Sequence, residues 1–230
     1  IPLPNSLHAE WIEKSLNRGL HVLVEKSLAC DYADVLRLNS LAREKELTLV
    51  ENFQFRFHCQ LAKIKELLAS DAIGELRCFR SSFGFPGLPT PTDIRYQKNL
   101  GGGALLDTGA YPLKAAQIFL GTNIEVIAAT LNFLPHNHFY QCNIELWGSK
   151  GKIYSNRIFT APPEYKPTRE LETIDGKQSI VLESDDHFQN MLLHFYDLSI
   201  GKIDKLSEYE QNINQARLIN ELRLKANENR

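Results

Sequence analysis

The sequence has few cysteines and no pairing among them. Cys30, Cys59, Cys78 and Cys142 lie far apart and form no C-x-x-C pair. This excludes a zinc ribbon or disulfide framework as the organising device, so buried, reduced cysteines in a cytoplasmic protein are expected. No apolar run reaches about 18 residues, so no spanning helix is expected. The opening Ile1-Pro2-Leu3-Pro4-Asn5 has neither a basic n-region nor an apolar h-region and does not fit a signal peptide. It has no initiator Met either, and the chain is expected to begin inside a longer domain. There is no basic excess, with 26 Lys and Arg against 28 Asp and Glu. Neither nucleic acid nor a membrane surface is therefore an expected partner.

Several catalytic signatures are also missing. No G-x-S-x-G elbow supports a hydrolase of that type. His136 and His138 flank Asn137, and His187 and His194 lie seven apart; none has the H-E-x-x-H spacing that sets two ligands on one helical turn. No metal site is expected. What remains is a 230-residue chain, 43% hydrophobic and 23% charged, enough for one large domain or a domain and a half.

Along the first 50 residues the hydrophobic pattern alternates. Residues 5–18 predict a helix with Asn5 or Ser6 as cap, Leu7, Trp11, Ile12 and Leu16 in phase, and Gly19 at its end. His21-Val22-Leu23-Val24 suits a buried parallel strand. Asp31 caps a second helix carrying Val35, Leu38, Leu41 and Ala42, and a second strand follows over 47–50. Helix and strand in alternation imply a parallel sheet covered by helices. A third helix is predicted over 57–69. From Glu75 the pattern changes to strands near 75–83, 124–134, 138–147, 151–155, 170–175 and 178–183. A helix near 107–120 interrupts them, and helices near 186–200 and 207–227 close the chain. The expected fold is α/β: a partial Rossmann unit over 1–52, then an α+β domain over 53–230 with a large, mostly antiparallel sheet.

Three segments can carry chemistry. Glu25-Lys26 ends the first strand, and ligands of open parallel sheets bind beyond the carboxyl ends of strands. A Lys there can polarise a carbonyl; on position alone, a solvated strand-end pair explains it more simply. The second is the run from Gly101 to Tyr111, GGGALLDTGAY. Its glycines permit unusual backbone angles or close approach. Asp107 and Tyr111 are four apart and share a face on a helix, near its start if Pro112 lies in the first turn. The helix dipole favours an anion there. A Tyr hydroxyl whose pKa is lowered by a cation, with Lys26 the natural one, serves as general acid or base. A glycine loop with a capping Asp and a partly buried Tyr explains the segment equally well. This run is no dinucleotide fingerprint, since Leu106 stands where the third glycine belongs. The third is Asp93-Ile94-Arg95-Tyr96 in a proline-rich stretch, where Arg95 can grip a phosphate or carboxylate or be an ordinary surface Arg.

Taken together, Pro4-Asn5-Ser6-Leu7-His8-Ala9-Glu10, Gly19 to Lys26, Arg56 within Phe53 to Phe57, and Gly101 to Tyr111 resemble the glucose-fructose oxidoreductase/inositol dehydrogenase (Gfo/Idh/MocA) family over essentially the whole chain. The Asp93-Ile94-Arg95 stretch and a Tyr at 111 resemble its reductases of nucleotide-linked keto-sugars most. The resemblance implies an NAD- or NADP-dependent oxidoreductase passing hydride between nicotinamide and a carbon of a sugar-like substrate. It implies Pro4, Asn5 and His8 near the nicotinamide, Glu25 at its ribose, and Lys26 beside the reacting carbon. It further implies Tyr111 as proton donor or acceptor, Asp107 orienting the substrate, and Arg95 touching cofactor or substrate. A homodimer or homotetramer through the sheet face is implied too. The family's Glu-Lys-Pro reads Glu25-Lys26-Ser27 here, and Ser27 is expected to loosen the turn. The opening strand, glycine fingerprint and ribose-reading acid are absent from this stretch; two to three βα units of about 30 residues would supply them. Two further readings stand beside this one. One is a non-catalytic substrate-binding and dimerisation module, which a wide apolar face on strands 124–134 and 138–147 would favour. The other is a relative that cleaves glycosidic bonds through transient oxidation.

Overall fold

The computed structural model describes residues 1–130 and 139–228. They divide into two compact units. One comprises 1–53, 87–137 and 193–230, and the other 54–86 and 138–192.

The first unit opens with α1 (Asn5–Asn17), β1 (Val22–Glu25), α2 (Tyr32–Glu44) and β2 (Leu49–Asn52). β1 and β2 pair in parallel, with Val22 opposite Leu49 and Glu25 opposite Asn52. The parallel βα pattern expected from the sequence is present. A core of Ile12, Leu16, Val22, Val24, Leu28, Val35, Leu38 and Leu49 holds these elements together. β2 starts later than the apolar run, because the backbone N–H of Leu47 still serves the end of α2, donating to Ala42 O at 2.9 Å.

The caps differ from expectation. Pro4, not Asn5 or Ser6, occupies the α1 cap position, and no side chain caps that helix. The buried stripe of α1 is His8, Ile12 and Leu16, while Leu7 and Trp11 face outward. A histidine joins the apolar stripe because both ring nitrogens find buried carbonyls: Nδ1 lies 2.8 Å from Ser27 O and Nε2 2.7 Å from Leu3 O.

In the second unit, α3 (Cys59–Ala69) packs through Leu61, Ile64 and Leu67. Five strands follow: β3 (Leu76–Gly84), β4 (Gln141–Gly148), β5 (Gly151–Asn156), β6 (Thr168–Thr173) and β7 (Gly176–Val181). They form one sheet in sequence order, every neighbour antiparallel. Cys142, Ile144 and Leu146 of β4 are buried on one face, and Gln141, Asn143, Glu145 and Trp147 occupy the other. That second face is mixed, not the wide apolar surface that would favour the module reading. Of the four cysteines, all free, only Cys142 is buried.

Three helices complete the described residues: α4 (Ala110–Leu120), α5 (His187–Ser199), which runs across the division at 192/193, and α6 (Leu206–Glu228). α6 fastens the first unit largely by polar side chains. Asn212 Nδ2 donates to Asn39 Oδ1 and to Leu49 O, both at 3.0 Å. Gln215 Nε2 donates to Ala110 O at 2.8 Å.

The expected strand over 124–134 is a correction. Residues 124–130 form no strand, and 131–134 lie outside the described residues, as do His136 and His138. A β-branched run becomes a strand only when its backbone groups meet another strand. Here the Arg217 guanidinium takes the Thr122 and Ile124 carbonyls instead.

Candidate active site

Three separate segments meet in the first unit. β1 ends at Glu25, so Lys26 leaves the carboxyl end of a parallel strand. Its Nζ donates to Asp107 Oδ1 and to Asp107 O, both at 2.7 Å. The same ammonium lies 5.1 Å from the centroid of the Tyr111 ring. The Lys26 and Asp107 side chains are only 13% and 19% exposed, so this is a partly desolvated pair.

Local backbone geometry brings Asp107 and Tyr111 to one place. Leu105–Gly109 forms a π-helical turn that runs into α4, a widening often found at functional sites. Pro112 lies inside the continuous helical run and has no N–H to give an upstream carbonyl, and the Asp107 carbonyl takes the Lys26 ammonium. Tyr111 is buried, and Phe53 stands edge-on to it at 5.4 Å.

Arg95 completes the cluster. Its Nε donates to Asp107 Oδ2 at 3.0 Å, and its Nη1 to Asp93 Oδ1 at 3.3 Å. Asp93 also accepts the Arg95 backbone N–H at 2.9 Å. That bond, helped by the guanidinium, holds the Asp93 carboxyl below the usual carboxylate range. The glycine run locks the Arg95 turn against the Asp107 turn. A Cβ on Gly102 would fall 2.4 Å from Ile94 O and 2.7 Å from Arg95 O, and Gly103 N–H donates to Arg95 O at 2.9 Å. Gly101 adopts φ +76°, with the Asn5 side chain and Cys30 Sγ where its Cβ would be.

The start of α1 joins the same region. Asn5 Nδ2 donates to Gly101 O at 3.0 Å. His8 is fully buried; burial lowers its pKa, and the Ser27 and Leu3 carbonyls partly offset that. A neutral ring has one proton for the two carbonyls, whereas a protonated ring donates to both. Ser27, where the family has Pro, is buried, and its Oγ donates to Leu106 O at 3.4 Å. The Lys26–Ser27 peptide is cis.

Sequence reasoning missed two neighbours. Asn52 Nδ2 donates to Glu25 Oε1 at 2.7 Å, a partnership implied by their register across the parallel pair. Phe53, which sets the Tyr111 ring, follows directly after β2. Arg56 belongs to the second unit, its guanidinium 5.1 Å from the Phe57 ring.

A parallel βα unit with a Lys at its strand end, set against an Asp and a Tyr, defines an oxidoreductase of the Rossmann class. Comparison with known proteins agrees. Residues 1–53 match the model of an oxidoreductase family with an NAD-binding Rossmann fold, and 61–148 match a GFO/IDH/MocA C-terminal domain. The chain belongs to the Gfo/Idh/MocA family. It is similar to dTDP-3,4-didehydro-2,6-dideoxy-α-D-glucose 3-reductase of Actinomadura kijaniata, 36% identical over 97% of this chain and 74% of that protein. The enzyme of that name from Saccharopolyspora spinosa is 39% identical over 85% of this chain and 66% of its own length. Among solved structures, a 3-ketoreductase from A. kijaniata in complex with NADP and TDP-benzene superposes with a TM-score of 0.93 at 36% identity. That match covers 98% of this chain and 77% of the other. Among the described residues, no helix is long and apolar enough to cross a membrane.

Proposed function

We propose that this chain carries the nicotinamide-facing and substrate-facing part of an NAD- or NADP-dependent reductase of a nucleotide-linked keto-sugar. Residues 1–52 contribute to the dinucleotide-binding domain, and 53–230 to substrate binding and to assembly as a cytoplasmic homo-oligomer. The observation that carries the reading is the meeting of Lys26, Asp107 and Tyr111, drawn from segments 81 positions apart. The relatives that reduce a dTDP-linked sugar support the substrate class.

The residues present fit a nicotinamide and its ribose. The α1 N-terminus has no side-chain cap, and Glu25 is held at the strand end by Asn52. Pro4, Asn5, Glu25 and Lys26 would line that group, and His8, being buried, acts on it only by fixing the Ser27 carbonyl. When bound, the nicotinamide supplies the hydride or accepts it.

The remaining steps belong to side chains. Lys26 stabilises negative charge growing on the sugar oxygen. Tyr111 passes the proton to or from that oxygen. Asp107 orients Lys26 and a substrate hydroxyl, and Arg95 presents the only guanidinium fork in the cluster to an anionic group of substrate or cofactor.

Titration of the chain with NADH and NADPH, read by nicotinamide fluorescence, tests cofactor binding. Turnover of a dTDP-linked 3-keto-sugar then tests the chemistry. Lys26→Ala and Tyr111→Phe should each cut turnover by about 10²- to 10⁴-fold. Unchanged turnover in both would defeat the assignment. A folded chain that binds neither cofactor would place the chemistry outside this stretch.

A further inference from the structure

The second unit brings together three metal-ligating side chains that the candidate active site does not use. His58 and Cys59 stand at the start of α3, and Asp185 lies just ahead of α5. Cys59 Sγ is 3.4 Å from His58 Nδ1, and Asp185 Oδ2 is 3.8 Å from the same nitrogen. All three ligand atoms lie within 4.8 Å of one another. Tetrahedral zinc, with bonds of about 2.0–2.3 Å, sets ligand-to-ligand edges of roughly 3.3–3.6 Å. Side-chain shifts of under about 1 Å per atom therefore bring the three donors onto one ion.

We propose that His58, Cys59 and Asp185 bind a divalent, borderline-soft cation of the zinc class, with solvent in the fourth position. A cavity of about 400 Å³ bordered by Cys59, Asp185, Glu183 and Ser184 supplies that solvent. The correct nitrogen faces the site. The Gln60 backbone N–H donates to His58 Nδ1 at 3.2 Å, so Nδ1 carries the lone pair, and an ion bound there replaces that hydrogen bond. His58 Nε2 is buried and has no hydrogen-bond partner. Asp185 already has the outer support that metal-bound carboxylates need. Its Oδ1 accepts from Asn190 Nδ2 at 2.9 Å, and that amide also donates to Phe57 O at 3.1 Å.

The α3 N-terminus and the buried Arg169, which donates to Gln60 Oε1, oppose a cation and favour the anionic ligands that would hold it. The Asp185 carboxylate and a Cys59 thiolate supply two negative charges, matching a divalent ion. On binding, the Cys59 S–H bond breaks, its proton goes to solvent, and the sulfur pair forms the metal bond. No group is oxidised or reduced. Spacing rules could not find this site, because Cys59 and Asp185 are 126 positions apart.

Cobalt(II) titration of the purified, metal-stripped chain tests the proposal. The expected result is one saturable equivalent, a thiolate-to-cobalt charge-transfer band, and one proton released per ion bound. Zinc should displace the cobalt. Cys59→Ser and Asp185→Asn should each weaken binding by more than roughly 100-fold, beyond the loss seen for outer-shell changes. Cys78→Ser should leave it intact. Absence of saturable binding, or Cys59→Ser binding as tightly as the parent, would overturn the proposal. Far-ultraviolet circular dichroism checks each fold, and if Cys59→Ser does not fold, Asp185→Asn decides. The site shares no residue with the reductase cluster, so its failure leaves the reductase reading untouched.

Discussion

The Asp107 carboxylate is shared between two cations: Oδ1 takes the Lys26 ammonium at 2.7 Å and Oδ2 takes the Arg95 guanidinium at 3.0 Å. The two charges thus face each other across one anion. Removing the anion is therefore worse than removing either cation. Asp107→Asn leaves two partly desolvated positive groups side by side, whereas Lys26→Met leaves a satisfied Arg95–Asp107 pair. We expect Asp107→Asn to cost about 1–3 kcal/mol of stability, below the range for fully buried pairs because these side chains keep some exposure. Lys26→Met should cost less, and the double variant less than the sum of the two. Urea unfolding of the four proteins measures this; equal losses for the two single variants would contradict the shared-anion picture.

Gly102 sets the distance between the Arg95 turn and the Asp107 turn. Its added Cβ would meet two backbone oxygens, Ile94 O at 2.4 Å and Arg95 O at 2.7 Å, and backbone cannot swing aside as a side chain can. Gly102→Ala should therefore cost about 1–3 kcal/mol through overpacking and should displace Arg95 from Asp107. Gly84→Ala is the control, because nothing lies within 4 Å of its Cβ. The two thermal midpoints give the comparison, and a Gly102→Ala protein as stable as Gly84→Ala would show that the turns are not in contact.

Much of this arrangement was legible in the sequence, and the limits are physical. The β1–α2–β2 alternation shows because buried parallel strands read as continuous apolar runs. Lys26 at a strand end and the Asp107/Tyr111 spacing show for the same local reason. Their partnership does not, since nothing local links residues 81 apart. Residues 124–130 look like a strand by side chain, yet strand formation depends on a partner the sequence does not name. His8 hides in the α1 stripe because its burial depends on the carbonyls of Leu3 and Ser27.

That burial gives a pH dependence of definite sign. The folded-state pKa of His8 is lowered by desolvation, so below the ordinary value of about 6.5 the unfolded chain takes up a proton that the folded chain resists. The stabilising contribution of neutral His8 is complete above about pH 6.5 and declines as pH falls toward the lowered value. Stability should therefore fall between pH 7.5 and about 5.5, and less steeply in His8→Gln. Urea midpoints at the two pH values test this. An identical slope in both proteins would mean that folding does not shift the His8 pKa, and a steeper fall in His8→Gln would mean that the folded protein keeps His8 protonated with both carbonyl contacts made as hydrogen bonds.

α6 gives the clearest separation of hydrophobic pattern from function in packing. Its buried stripe includes Glu208, Asn212 and Gln215 beside Leu218 and Ile219, so apolar periodicity alone understates how deeply it is set. Asn212 closes two backbone and side-chain acceptors at once, Leu49 O at the start of β2 and Asn39 Oδ1 on α2. Asn212→Leu keeps the volume but leaves both acceptors buried without that donor. Each such group costs about 1–3 kcal/mol, so a loss of roughly 2–6 kcal/mol is expected, comparable to a Leu218→Ala cavity of about 2–5 kcal/mol. Asn39→Ala in the same background removes one of the orphaned acceptors and should recover part of the loss. If Asn212→Leu proves neutral in urea unfolding, α6 is held by its apolar residues alone, and the polar stripe does not fix its position against β2.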